Sequence, residues 1–231
     1  MNRTLNVVRM QLVNRATYIW VPLIVLGGTV VISLAIFGLI SSNGVETTMF
    51  GGGAQAPLWY FLAVGVQALT LTFPFSQAMS VTRREFYLGT LLTAALTSLG
   101  LAVLFVIGGF IEEATNGWGM NGYMFRLTWV WSQGPLVAGL FFFTLAFLFF
   151  VVGFCFATIY KRWTNVVMTL VIVAIALLLV AAMWLIGQLD AWQPVLTWFG
   201  SLTPIALTGS MLLGSAVLAA ISYGMLRRAI A

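Results

Sequence analysis

The sequence predicts an all-α integral membrane protein with six transmembrane helices, and three observations carry that reading. Only 6% of its 231 residues are charged while 61% are hydrophobic, against about a quarter charged in an ordinary soluble domain, and mean hydropathy reaches +1.06. Six apolar runs approach or exceed the roughly 20 residues that a helix needs to cross the hydrocarbon core. The ten basic residues fall so that a single assignment of sides places nine of them together, as the preference for Lys and Arg in cytoplasmic loops requires.

Taken in chain order, residues 1–16 read as an interfacial helix, because "MNRTLNVVRMQLVNR" sets Leu5, Val8 and Leu12 at helical spacing among Arg, Asn and Gln. The spans follow at Tyr18–Ile40, Leu58–Ser80, Leu88–Ile111, Pro135–Ile159, Thr164–Gly187 and Pro204–Leu226. The first run is too long for a signal-peptide core and lacks a small-residue cleavage site, so it reads as an uncleaved span. With both termini cytoplasmic, Arg3, Arg9, Arg15, Arg83, Arg84, Lys161, Arg162, Arg227 and Arg228 lie inside and Arg126 alone lies outside. Glu46, Glu112, Glu113 and Asp190 then fall outside as well, with Glu112 and Glu113 read as solvated charges at a span end. The longest external stretch, Glu112 to Gly134, carries Trp118, Tyr123, Trp129 and Trp131 and suits a short element in the headgroup belt. No repeat or linker divides the chain, which reads as one membrane domain over 1–231.

Composition narrows the function. The absence of His removes His-ligated metal sites, Ser-His nucleophile pairs and His proton relays. Cys155, the lone cysteine, reads as a packing residue. A pI near 9.9 would suggest nucleic acid in a soluble chain, but here the basic residues serve the bilayer, and no nucleic-acid partner is expected. No G-x-x-x-x-G-K-[ST] loop is present, and the only lysine is Lys161. No acid lies within a predicted span, which weakens ion-gradient coupling. The Glu112–Glu113 pair resembles the glutamates of membrane-embedded prenyl-protein proteases, but those sites also need histidine. No catalytic residue, no metal site and no cofactor on this chain are expected.

The stretch "SVTRREFYLG", Ser80 to Gly89, interrupts two apolar runs with two arginines and a glutamate. Thr82 and Glu85 fit a capping box, so a helix begins at Arg83, with Val81 and Phe86 at the positions of a hydrophobic staple. This predicts a short capped cytoplasmic helix between spans two and three. Arg83 and Arg84 sit in its first turn, where the helix dipole mildly disfavours cations, so another interaction must favour them there. Topological anchoring next to anionic headgroups is one such interaction.

Six spans, an interfacial N-terminal helix, the string "TRREFYLGT" and the lack of a nucleotide site together resemble the ABC-type exporter permeases of the type-two class, bacterial subunits that export drugs, peptides, lipids or polysaccharides. The resemblance implies that Thr82, Arg83, Arg84, Glu85, Phe86 and Tyr87 form a coupling helix docking on a separate cytoplasmic ATPase, which would hold ATP and Mg. It further implies a second permease copy, a bacterial cytoplasmic membrane, and a re-entrant segment over Gly187–Pro204, where Pro194, Trp192 and Trp198 lie, the alternative for that stretch being an ordinary interfacial loop.

The second span carries Gln67, Thr70, Pro74 and Gln77 within one arc of about 80° of an ideal helix wheel. Such side chains either hydrogen-bond between helices or line a pathway, and the resemblance favours Gln67, Thr70 and Gln77 as pathway residues. Gly89, Thr93, Thr97 and Gly100 on span three, and Ala216, Ala220 and Gly224 on span six, read as packing stripes. The competing classes are a passive channel or gradient-driven carrier, and a non-transporting membrane partner such as an assembly or immunity factor.

Overall fold

The computed structural model describes residues 3–44, 47–163 and 165–228. Glu46, Thr164 and the first two residues of the predicted interfacial helix lie outside the described residues. Among those described, six helical units are long and apolar enough to cross a bilayer: Ala16–Ser42, Gly53–Ala78, Arg83–Ala114, Pro135–Trp163, Val166–Gln188 and Pro204–Arg227. Each overlaps one predicted span, the architecture of an all-α multi-pass membrane protein.

The N-terminal helix α1 (Arg3–Val13) precedes the first span, formed by a π-turn at Ala16–Trp20 and α2 (Val21–Ser42). The wide π-turn occurs where the chain passes from α1 into the span, and Tyr60 donates its hydroxyl to the Thr17 carbonyl at 3.1 Å. The second span joins α3 (Ala56–Gln67), a π-turn at Ala68–Thr72 and α4 (Phe73–Ala78). Pro74 is the reason for that interruption: it has no N–H for the Thr70 carbonyl, and its ring crowds the preceding turn. Widening the turn to i→i+5 bonding accommodates both effects.

The third span is one unbroken helix, α5 (Arg83–Ala114), and this corrects the prediction of a separate short helix at its start. The boundary expected at Leu88 rested on the change from charged to apolar residues. No proline intervenes between Arg83 and Ala114, and a single Gly89 is tolerated inside a helix. Its 32 residues span about 48 Å, well beyond a hydrocarbon core of about 30 Å. The arginine-bearing turn is therefore the projecting end of a span.

The fourth span, α7 (Pro135–Trp163), is the central pillar: 56% of its most apolar stretch is buried, while none of that stretch is buried in α8 (Asn165–Gln188). Helix α3 lies against α7 at a reciprocal glycine crossing. A Cβ on Gly65 would overlap the Phe150 carbonyl, and one on Gly153 would overlap the Leu62 carbonyl. Helix α10 (Pro204–Arg228) packs on another face of α7 and buries Thr208, Ser215, Ser222 and Leu226. The hydroxyls bond back to their own helix, Thr208 to Pro204 O at 2.8 Å and Ser215 to Met211 O at 2.8 Å, so small polar residues pack closely without unpaired groups. The predicted seam of Ala216, Ala220 and Gly224 is exposed instead, and a Cβ on Gly224 would meet no atom within 4 Å. Spacing alone could not tell these two faces of α10 apart.

The connections sort to two ends of the bundle. At one end Arg83 donates to the Arg227 carbonyl at 3.2 Å, and Arg3 approaches Glu85 at 4.0 Å. Tyr87 there meets Phe154, about two turns before Lys161 and Arg162. At the other end, strand β1 (Met49–Phe50) pairs in parallel with β2 (Gly122–Tyr123), and Gln133 accepts from the Ile205 amide at 3.1 Å.

Candidate functional site

At the arginine-rich end the capping box forms as its residues dictate. The Thr82 hydroxyl accepts from the Glu85 amide at 3.3 Å, and the Glu85 carboxylate accepts from the Thr82 amide at 3.1 Å and the Thr82 hydroxyl at 2.8 Å. The preceding turn is closed by Val81 N donating to Ser76 O at 3.1 Å and by Gln77 Nε2 donating to Val81 O at 3.1 Å. Ser80 adopts a left-handed conformation, φ 58°, at its tip. Met79, Ser80 and Thr82 are exposed there on a hydrogen-bonded, well-defined turn.

The six predicted coupling residues divide by role. Thr82 and Arg84 are exposed, Arg83 and Glu85 are half-buried, and Phe86 and Tyr87 are internal. Phe86 packs edge-on against Phe73 of α4, with ring centres 5.1 Å apart, and partly buried Val81 joins the same core as the staple pattern predicts. Tyr87 donates its hydroxyl to the Ala219 carbonyl of α10 at 2.5 Å, while its ring meets Phe154 of α7 at 5.8 Å and Tyr223 of α10 at 5.0 Å. Arg83 places its guanidinium on a carbonyl at the C-terminal end of α10, where cations are favoured. That contact offsets its unfavourable place in the first turn of α5.

Helix α1 clamps the same turn from the outside. Gly89 lets it approach, since a Cβ there would crowd Thr4 O and the Val7 side chain, and buried Gln11 donates to Thr90 at 2.8 Å. The start of α5 is thus in contact with α1, α4, α7 and α10. Gly89→Val is expected to lift α1 away while leaving the spans inserted. Trypsin added to the detergent-purified protein should then cut after Arg9 and Arg15 faster than in the parent protein, and an unchanged digestion rate would remove Gly89 from this role.

The chain matches no family model, no curated protein and no solved structure. The functional reading accordingly rests on the residues themselves.

The polar face of span two is less uniform than its sequence spacing predicts. Gln67, Thr70 and Gln77 are each half-buried, but the π-turn at Ala68–Thr72 rotates the residues beyond it out of the arc expected for an uninterrupted helix. Thr70 bonds back to Val66 O at 3.0 Å, and Gln77 is committed to the turn at Val81. Gln67 makes no side-chain hydrogen bond among the described residues and is the member of the face free to meet something else.

At the opposite end, Glu112 overturns its reading as a solvated charge. Its side chain is fully buried, and its carboxylate accepts from the amides of Met124, Phe125 and Arg126 at 2.8, 3.0 and 2.8 Å and from the Trp118 indole at 3.1 Å. Three consecutive amides converging on one carboxylate form a charge-assisted cradle that holds the whole 118–126 segment. Glu113 and Arg126 form an ion pair beside it, so the Glu-Glu doublet splits into one internal and one external group. The Trp-rich stretch folds over this anchor as a π-turn at Gly117–Asn121, β2 and the short helix α6 (Thr128–Trp131). Between spans five and six lies α9 (Trp192–Ser201), with no buried residue and with Pro194 in its first turn, where the missing N–H breaks no helical bond.

Proposed function

We propose that this chain is the transmembrane subunit of an ABC exporter, working as a dimer with a separate cytoplasmic ATPase in a bacterial cell membrane. The observation that carries the reading is the capped start of α5. It presents an exposed, hydrogen-bonded tip at Met79–Thr82 and within a few residues is hydrogen-bonded to α1 and α10 and ring-packed against α4 and α7. A surface anchor has no need of such connections, whereas a lever that passes an external movement into a bundle does.

The nine-to-one partition of basic residues supports placing this end, with both termini, in the cytoplasm. The tip Met79, Ser80 and Thr82 docks on the ATPase, and Phe86 and Tyr87 pass its motion inward. ATP and Mg belong to the partner. Gln67 and Thr70, half-buried on the outer surface of α3 and its π-turn, border the substrate route where the second permease copy completes it.

The test is co-expression of this chain with candidate P-loop ATPase subunits of its own cell, followed by purification in mild detergent. The expected result is a complex with equal numbers of permease and ATPase chains that hydrolyses ATP and loses that activity when the ATPase Walker lysine is replaced. A permease that conducts ions or solute across vesicles without any ATPase would overturn the reading in favour of a channel.

A further inference from the structure

Arg84 has no hydrogen bond or ion pair among the described residues, unlike its neighbours Arg83 and Glu85. It lines a groove of about 390 Å³ between the start of α5 and the end of α10, floored by Leu88, Leu91, Ala219 and Ala220 and flanked by Tyr87 and Tyr223. We propose that this groove binds an anionic phospholipid of the cytoplasmic leaflet, its phosphate on Arg84 and the start of an acyl chain along Leu88, Leu91 and Ala220.

The polarity of the groove matches that of the ligand. Arg84 stands at its outer end, in the first turn of α5, and Leu88 and Leu91 follow on the same helix toward the bundle interior; Arg84 to Leu91 covers about 10 Å. On the facing helix the Arg227 guanidinium lies 5.9 Å from the centre of the Tyr223 ring, which adds a second cation at the outer end and none at the inner one. The three described acids other than Glu85, namely Glu112, Glu113 and Asp190, lie at the opposite end of their spans, and α10 carries none, so among the described residues no other carboxylate competes for Arg84 there. A guanidinium offers a fork of donors suited to a phosphate, and long apolar walls below it exclude a small soluble anion as the best-fitting occupant. The floor of leucine and alanine side chains matches an acyl chain better than the polar surface of a docked protein.

The inference rests on the arginine-rich end facing the cytoplasm and not on the exporter reading, so either can fail alone. Purified protein is titrated with phosphatidylglycerol or phosphatidylcholine in mixed micelles, and binding is read by native mass spectrometry and by thermal shift. The expected result is preferential retention of phosphatidylglycerol, with Arg84→Gln lowering its affinity roughly fivefold, the weight of one basic side chain near an anionic surface. Arg84→Lys should keep most of the preference, Ala220→Trp should abolish binding by filling the groove, and Arg9→Gln, on α1, should leave it intact. Equal binding of the two lipids, or an unchanged preference in Arg84→Gln, would overturn the proposal. Stabilisation by glycerol phosphate equal to that by the lipid would overturn it too, by showing a headgroup site without an acyl chain.

Discussion

Glu112→Ala is expected to release the 118–126 segment and to lower stability by about 4 kcal/mol or more, since four donors aimed at a buried carboxylate would each lose a partner at about 1–3 kcal/mol. Losses of that size come only from a few mechanisms, and a broken buried network is one of them. The damage should begin locally. Arg126, whose amide is one of the four donors and whose side chain pairs with Glu113, should become a faster trypsin site in the detergent-purified protein. Glu112→Gln should be intermediate, because it keeps an acceptor oxygen but turns an NH2 group toward amides that also donate. Thermal unfolding in detergent, followed by gel filtration, measures the loss, and a midpoint unchanged in Glu112→Ala would show that the cradle carries no weight.

Gly153→Leu is expected to be as damaging, by a different route. Its new side chain would start inside the space of the Leu62 backbone, and backbone cannot rotate aside as a flexible side chain can. Overpacking in a core ordinarily costs about 1–3 kcal/mol; here α3 must move off α7 as a unit, and little monodisperse protein should be recovered. Gly65→Leu, at the reciprocal position against Phe150, should reproduce the defect. Gly28→Leu is the control, because nothing lies within 4 Å of the position a Cβ would take. Equal recovery of Gly153→Leu and Gly28→Leu would mean that α3 and α7 do not cross as described.

What the sequence made legible follows from which forces act locally. The six spans were readable because membrane crossing needs a long apolar run in one continuous segment, and the capping box was readable because Thr82 and Glu85 interact across a single turn. The glycine crossing of Gly65 and Gly153 was not, since it joins residues 88 positions apart and no local pattern marks either glycine as a contact. Glu112 was misread for the same reason: a carboxylate at a span end is normally solvated, and its burial depends on a loop beginning several residues later folding back over it. The continuity of α5 escaped because charge marks where a helix leaves a membrane, not where it ends. The polar arc of span two was computed for a regular helix, and Pro74 made the helix irregular within that arc.

The central claim is that the tip Met79–Thr82 touches an ATPase, and a photo-activatable residue at Ser80 tests it most directly. Ser80 is exposed, so the substitution leaves the capping box and the core untouched. Illumination of intact cells should yield one adduct of this chain with a P-loop ATPase subunit, identified by mass spectrometry, while the same probe at Asn121, on the π-turn at the opposite end of the bundle, should give none with that subunit. In the Cys155→Ser background, Ser80→Cys should resist an impermeant thiol reagent added outside and Asn121→Cys should react. Labelling of Ser80→Cys from outside, or a Ser80 probe that crosslinks to no ATPase while the protein is inserted and folded, would contradict the account.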